Sequence, residues 1–93
     1  MAQLRFSWDP DKAKANERKH KVSFEEAQSV FSDENARIIH DPDHSDEEDR
    51  LLTFGHSSDG RLLLVSHTDR KDRTRIISAR QATRKERKAY EEG

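Results

Sequence analysis

Residues 50–80 read RLLTFGHSSDGRLLLVSHTDRKDRTRIISAR, and this run predicts three strands joined by two polar turns. The strands are expected at 50–56, 61–68 and 73–80, where Leu, Val, Ile and Thr are frequent. Gly60 closes the first turn, where a hairpin favours a residue that tolerates a positive backbone angle. Strands joined by short turns pair antiparallel, so the run predicts a β-meander.

The segments before the meander predict a strand, two helices and a second short strand. Leu4, Phe6 and Trp8 alternate with polar residues, as in a half-buried strand. Asp9 and Pro10 favour a helix start, which predicts a helix over 10–19. Ser23 and Glu26 form a capping-box pattern before a helix over 24–31, and residues 37–40 predict a strand.

The end of the chain predicts a third helix, over residues 84–91. Thr83 and Glu86 repeat the capping-box pattern. The helix is rich in cations and has little apolar surface beyond Ala89 and Tyr90. The predicted fold is therefore an α+β domain, in which an antiparallel sheet is packed by two N-terminal helices and one C-terminal helix.

Charge is segregated along the chain, although the formal net charge is only -1. Residues 1–24 carry a net charge of +3, residues 25–60 of -9 and residues 61–93 of +5. This distribution indicates a disordered polyampholyte or a folded domain with a cationic working face, and the strand and helix periodicities favour the folded domain. Residues 41–49 are acidic and turn-prone, which predicts a solvated loop.

Length and composition limit the class of protein. The 93 residues predict one domain, residues 1–93, with one thin core, because 30% of them are hydrophobic and 40% are charged. The absence of cysteine excludes disulfides, thiolate metal sites and a cysteine nucleophile. No apolar run is long enough to cross a membrane, so the expected location is the cytoplasm.

Three motifs resemble the BrnT toxin family. They are Phe6-Ser-Trp8-Asp9-Pro-Asp-Lys12-Ala-Lys-Ala-Asn16, Lys19-His20-Lys-Val22-Ser-Phe24-Glu25-Glu26-Ala27 and Arg75-Ile-Ile-Ser78-Ala79-Arg80-Gln-Ala82-Thr-Arg-Lys-Glu86-Arg87-Lys-Ala-Tyr90. The resemblance implies a RelE-like fold and a ribonuclease toxin of a type II toxin–antitoxin pair. It also implies neutralisation by an antitoxin similar to BrnA, which would bind operator DNA, within a toxin–antitoxin hetero-oligomer.

Such a ribonuclease needs a group that takes the proton of the RNA 2′-hydroxyl and cations that stabilise the phosphorane. Arginine suits the second task, because its guanidinium binds two phosphate oxygens at once. Arg70, Arg75 and Arg80 are the candidate phosphate ligands. In a flat strand, alternation places Arg75 on one face and Arg80 on the other, and either can instead pair with an acid inside the fold.

Histidine is the expected proton-transfer residue. His67 is the first candidate, because it lies close in sequence to Arg70 and across a turn from Arg75, where the three are expected to converge. His20 is the second, although a histidine at a helix end also satisfies helix carbonyls.

Further candidates for substrate binding are exposed cations and one aromatic ring. They are Arg73, Lys19, Arg84 and Tyr90. Arg73 can equally be a solvated edge charge, and Tyr90 can equally anchor the last helix. Glu86 is read first as a helix cap rather than as a general acid.

No metal or other cofactor is predicted. His40 and His44 stand among acids but have no helix to fix their geometry, so a solvated loop explains them as well as a metal site does. Two other functions remain open: a nucleic-acid-binding module without catalysis, and a protein-interaction partner.

Overall fold

The computed structural model describes residues 5–41 and 49–93 of the chain. Its elements are β1 (Phe6–Ser7), α1 (Pro10–His20), α2 (Phe24–Ser29) with a 3₁₀ turn (Val30–Ser32), β2 (Arg37–His40), β3 (Arg50–His56), β4 (Leu62–Asp69), β5 (Thr74–Gln81) and α3 (Arg84–Glu92). The predicted element order is confirmed, with α2 shorter than expected because its last turn is 3₁₀. The acidic loop predicted at 41–49 lies outside the described residues, apart from its two ends.

The five strands form one sheet in the order β1-β5-β4-β3-β2. Strands β2 to β5 pair antiparallel, which confirms the meander. The predicted antiparallel pairing does not extend to β1, which pairs parallel to β5, with Phe6 opposite Thr74 and Ser7 opposite Arg75. The sheet is therefore mixed, and β1 reaches β5 because the meander presents the edge of β5 to the start of the chain.

The core lies between the sheet and the first two helices, on a surface that we call the helix face of the sheet. Its buried side chains are Val22, Phe24, Ala27, Val30, Leu63, Val65, Ile76 and Ala79. Phe6 and Trp8 pack against this cluster, with Trp8 edge-on to Phe24 at a centroid distance of 5.8 Å. The predicted apolar alternation of β1 is thus confirmed for Phe6 and Trp8.

Strand β5 contains a β-bulge at Ile77. Ile76 is opposite His67 and Ser78 is opposite Ser66, which leaves Ile77 without a partner on β4. An extra residue reverses the alternation of side chains beyond it. Ile76 and Ala79 therefore both lie on the helix face, whereas Arg75 and Arg80 both project from the other surface, which we call the α3 face.

Helix α1 has few apolar residues and is held to the sheet by a buried amide. The Asn16 side chain is 7% exposed. Its Nδ2 donates to the carbonyl oxygens of Val22 and Ala79, each at 2.9 Å, and its Oδ1 accepts from the Ala79 N–H at 3.0 Å. Asp9 caps the helix N-terminus as predicted, and Lys21 ends it in the left-handed conformation with φ 59°. Asn16 thus connects α1, the next loop and β5.

The two predicted capping boxes differ in the structure. Thr83 and Glu86 form both reciprocal hydrogen bonds at the start of α3, so that box is confirmed. Ser23 accepts from the Glu26 N–H, but the Glu26 carboxylate turns away and pairs with Arg61. The Ser23–Glu26 capping box is therefore only half formed, because the Arg61 guanidinium competes for the Glu26 side chain. The same guanidinium holds the pKa of Glu26 below its ordinary value.

Helix α3 covers part of the α3 face through one aromatic anchor. The Tyr90 ring packs edge-on against Phe54 at 4.9 Å and against His56 at 5.5 Å, and its hydroxyl donates to the Asn35 carbonyl oxygen. Arg37 lies over the same ring at 5.0 Å. The structure therefore supports the reading of Tyr90 as a structural anchor.

At the opposite edge from β1, all four residues of β2 are exposed. Ile38 and Ile39 are 60% and 50% exposed and are the exposed large hydrophobic residues of the described chain. None of the described helices is both long and apolar enough to span a membrane.

Candidate functional site

Three of the six predicted cations, Arg70, Arg73 and Arg75, lie at one end of the sheet, where β4 turns into β5. The turn is closed by the Arg70 N–H donating to the Arg73 carbonyl oxygen at 2.7 Å. The Thr74 N–H donates to the Arg5 carbonyl oxygen at 2.7 Å, which brings β1 to the same end. We call this group the cationic turn; its members are Arg5, Arg70, Lys71, Arg73 and Arg75.

Exposure differs within the cationic turn. Arg73 is exposed and pairs with the neighbouring Asp72 at 3.2 Å. Such a solvated ion pair contributes little to the stability of the fold. Arg75 is half buried in β5, and no side chain among residues 5–41 and 49–93 hydrogen-bonds or ion-pairs with it. A half-buried guanidinium without a protein acceptor has its donors available for an anion.

The side chain of Arg75 projects beside that of Thr68. Thr68 is opposite Arg75 on β5 and opposite Arg50 on β3, so the three side chains form a row on the α3 face. The Thr68 hydroxyl is buried and lacks a hydrogen-bond partner within the described parts of the chain. Sequence analysis missed Arg50 and Thr68, because cross-strand register was needed to place them beside Arg75.

The predicted convergence of His67 with Arg75 is not what the structure shows. His67 is opposite Ile76 and lies on the helix face, whereas Arg75 lies on the α3 face. The imidazole is 1% exposed and packs edge-on against Phe31 at 4.9 Å. Burial lowers the pKa of His67, and the nearby Asp69 partly offsets this effect. His67 therefore cannot touch RNA directly in this conformation.

Two side chains hold the His67 ring. Thr53 Oγ1 lies 2.7 Å from Nε2, and Asp69 Oδ1 lies 3.1 Å from Nδ1. A carboxylate can only accept, so Nδ1 carries the proton and Nε2 accepts from the Thr53 hydroxyl. The Asp69 side chain is 54% exposed, so this buried chain of hydrogen bonds reaches solvent at the cationic turn.

Arg80 lies on the same face as Arg75 but does not join it. About 15 Å of strand separates the two residues, and Arg80 donates to both Glu86 carboxylate oxygens, at 2.7 and 2.9 Å. This was the alternative left open in the sequence, an arginine paired with an acid. The paired guanidinium and the helix cap lower the pKa of Glu86 to about 2, so that Glu86 is ionised at neutral pH and has no proton to give.

The remaining predicted site residues lie on separate surfaces. His20 ends α1 near Arg61, whose Nη2 donates to the Lys21 carbonyl oxygen at 2.9 Å. Arg61 precedes β4, so the length of that strand, roughly 23 Å, separates His20 from the cationic turn. Lys19 is exposed on α1 and Arg84 is exposed on α3. The structure does not bring these residues to one pocket.

No group of three or more His, Asp or Glu side chains within residues 5–41 and 49–93 is arranged to hold a metal ion. His44 and most of its acidic neighbours fall outside these ranges, so the His40–His44 pair is not described.

The pair of Arg80 and Glu86 predicts a pH-dependent stability. The folded-state pKa of Glu86 is about 2, against an ordinary 4.5, so the pair stabilises the fold above pH 4.5 and loses this effect as the pH falls towards 2. Glu86→Gln keeps the helix cap but loses the ion pair. We expect this variant to lose about 1 kcal/mol of unfolding free energy at pH 7, after discounting for solvent screening. Near pH 2, its unfolding free energy should equal that of the wild type.

Urea unfolding at pH 7 and pH 2 measures this effect. Glu91→Gln is the matched control, because Glu91 is exposed on the same helix. An equal loss in both variants at pH 7 would assign the effect to helix charge rather than to the pair with Arg80.

The structure is similar to that of a solved ribonuclease toxin. It matches the 1.1 Å crystal structure of BrnT from Brucella abortus with a TM-score of 0.69 and 20% sequence identity, covering 88% of this chain and 100% of that chain. At this identity the likeness shows the fold, and the expected α+β, RelE-like architecture is confirmed. No curated protein matches the sequence.

A family model identifies the class. The model described as ribonuclease toxin, BrnT, of type II toxin–antitoxin system matches residues 8–86, which include His67, Arg80 and every member of the cationic turn except Arg5. The class is therefore that of the ribonuclease toxins of type II toxin–antitoxin systems. Within this class, the chain belongs to the BrnT family.

Proposed function

We propose that this chain cleaves RNA internally, without a metal ion, and that the cationic turn holds the phosphodiester that is cut. Family membership supports the reaction class. The observation that carries the location is the half-buried Arg75, which has no side-chain partner among residues 5–41 and 49–93 and lies at the end of the sheet that also carries Arg5, Arg70, Lys71 and Arg73. Arginine supplies the fixed positive charge that a metal ion would otherwise supply to the phosphorane.

In the proposed reaction, the ribose 2′-hydroxyl attacks the adjacent phosphorus. Arg75 and Arg70 bind the non-bridging phosphate oxygens, and Arg73 contacts a neighbouring phosphate after leaving its solvated pair with Asp72. His67 takes no proton from RNA in this proposal, since its ring is buried. Arg80 keeps its contact with Glu86 and supports α3.

The proposal includes an antitoxin that neutralises the chain. Membership of a type II toxin family implies a protein antitoxin. We propose one similar to BrnA, which binds operator DNA and forms a hetero-oligomer with this chain in the cytoplasm. Residues 25–60 carry a net charge of -9, so a basic antitoxin segment is favoured there by charge complementarity.

Incubation of the purified protein with end-labelled RNA in EDTA tests the reaction. We expect internal cleavage that leaves 2′,3′-cyclic phosphate and 5′-hydroxyl ends. Arg75→Ala is expected to lower kcat/KM by about 100-fold, the usual effect of removing one fixed charge-stabilising donor. Arg87→Ala, which removes an exposed arginine from α3, is the matched control and should retain activity.

The second candidate function, RNA binding without cleavage, predicts a different result. Intact RNA would be retained, with an affinity that falls steeply as salt is raised. That outcome, or equal losses in the two arginine variants, would overturn the proposed reaction or its location.

A further inference from the structure

Thr68 has a buried hydroxyl group that differs from those of two other buried threonines. The residue is 4% exposed, and its Oγ1 has no hydrogen-bond partner in the described parts of the chain. Thr53 and Thr74 are also buried, but their hydroxyls bond to His67 and Asp69. A buried hydroxyl without a partner destabilises a fold, and valine would fill nearly the same space without this effect. The presence of threonine here therefore requires a reason other than stability.

The cross-strand neighbours of Thr68 are two arginines. Residues directly opposite each other in a sheet share a face, with Cβ atoms about 4.5–5.5 Å apart. Thr68 is opposite Arg75 on β5 and Arg50 on β3, and the three side chains project from the α3 face. Asp41 follows beyond Arg50, because its N–H donates to the Arg50 carbonyl oxygen, and Ser7 is opposite Arg75 on β1. Asp41 is three strands from Arg75, about 14 Å, so the described residues of this row offer Arg75 no carboxylate within reach.

Two carboxylates at the same end of the sheet are bonded elsewhere. The Asp69 side chain lies on the helix face, where it bonds to His67 and Thr74. The Asp72 carboxylate pairs with Arg73 in the turn. Neither carboxylate therefore serves the donors of the row on the α3 face.

We propose that the Thr68 hydroxyl and the Arg75 guanidinium form one phosphate subsite, in which both donate to oxygens of the RNA phosphate. The inference deepens the proposed function and rests on it. A hydroxyl can donate one hydrogen bond and a guanidinium has only donors, so the pair matches the acceptor oxygens of a phosphate. Thr68 belongs to the central strand β4 and has a stiff side chain, whereas arginine is long and flexible. Thr68 thus fixes the position of the phosphate, and Arg75 supplies the charge.

A phosphate reaches the Thr68 hydroxyl only after a neighbouring side chain moves, because this hydroxyl is shielded from solvent. In the proposed subsite, Arg75 is the side chain that moves. It is half buried, and none of the described side chains hydrogen-bonds or ion-pairs with it. Side-chain rotamers change far faster than enzymes turn over. Entry of the phosphate is therefore fast in comparison with the chemical step.

Two substitutions of Thr68 separate a phosphate ligand from a packing residue. Thr68→Val keeps the shape and removes the hydroxyl, whereas Thr68→Ser keeps the hydroxyl and removes a methyl group. We expect Thr68→Val to lower kcat/KM by about 10- to 100-fold, the effect of losing one hydrogen bond to a charged group. Thr68→Ser should stay within about threefold of wild type, because the donor remains. A packing role predicts that serine is the more harmful substitution, and that order would overturn the inference.

Thermal melting of the same variants gives a second readout. Because Thr68→Val removes a buried hydroxyl without a partner, its melting temperature should exceed that of the wild type by about 4–8 °C. Thr53→Val is the matched control, since it removes a buried hydroxyl that is bonded to His67. This control should melt at a lower temperature than the wild type and retain kcat/KM. A lower melting temperature in Thr68→Val would mean that its hydroxyl has a structural partner, contrary to the inference.

A double-mutant cycle tests whether Thr68 and Arg75 bind the same phosphate. In the background of Arg75→Ala, the further change Thr68→Val should lower kcat/KM by less than about threefold, because the shared subsite is already lost. If the two losses multiply in full, the two residues act on separate phosphates and the subsite is wrong.

Binding and cleavage together distinguish this inference from the proposed function. RNA with 2′-O-methyl groups is the binding probe, because it lacks the attacking hydroxyl. If the wild-type protein does not cleave RNA, the proposed reaction fails, and the subsite is then tested by binding, where Thr68→Val should weaken the affinity for the probe by about tenfold or more. If the wild type cleaves RNA and Thr68→Val keeps its kcat/KM, the subsite is wrong while the proposed function stands.

Discussion

Asn16→Ala is expected to destabilise the chain by about 3–5 kcal/mol, although alanine is the better helix former. The substitution removes both hydrogen bonds to the Ala79 backbone and the bond to the Val22 carbonyl oxygen. The backbone groups of Ala79 and Val22 are buried, so they lose their partners without gaining water. Each unsatisfied group lowers the unfolding free energy by about 1–3 kcal/mol. Small domains have only about 5–15 kcal/mol of stability in total.

Urea unfolding followed by circular dichroism measures the loss. Lys14→Ala is the control, because it changes an exposed residue of the same helix and should alter the unfolding free energy by less than about 0.5 kcal/mol. A loss below about 1 kcal/mol in Asn16→Ala would mean that the three bonds are replaced by solvent and that α1 is held by other contacts.

Deletion of Ile77 is expected to abolish cooperative folding. Without the bulge, the residues that follow change faces, so Ala79 leaves the core and Arg80 enters it. An unpaired guanidinium in the core costs several kcal/mol, and Arg80 also loses its two bonds to Glu86. The deletion therefore removes contacts on both surfaces of the sheet at once.

Ile77→Ala separates the effect of register from that of the side chain. This substitution keeps the number of residues in β5. Because Ile77 is only half buried, we expect the unfolding free energy to fall by about 1–2 kcal/mol. A deletion variant with a sharp melting transition and dispersed amide NMR signals would show that β5 can absorb the loss elsewhere, contrary to the expected effect of register.

The sequence predicted most of the elements, because their signals are local. Capping residues such as Asp9 and Thr83 fix helix starts within one turn, and Gly60 has the positive φ, 80°, that its turn was expected to need. The antiparallel meander likewise follows from short connections between adjacent strands. Each of these features depends on residues within about four positions of one another.

The candidate site was predicted less well, because it depends on pairing between distant residues. Nothing local marks Ile77 as a bulge, so simple alternation placed Arg80 on the wrong side of β5 relative to Arg75. Proximity in sequence suggested that His67 faces the arginines, whereas Phe31 covers it from the opposite side. Arg70 and Arg75 were expected to lie near each other, and both lie at the turn between β4 and β5, because a turn between adjacent strands is itself local.

The pairing of β1 with β5 also affects the order in which the chain can fold during translation. Phe6 is opposite Thr74, nearly seventy positions later, and Asn16 bonds to Ala79 at a similar distance along the chain. Ribosomes add ~5–20 residues per second, so the first strand waits roughly 3–14 s for its neighbour to be synthesised. A nascent chain therefore completes its fold only after β5 has left the ribosome. During these several seconds, a protein partner synthesised nearby can bind the chain before its fold is complete.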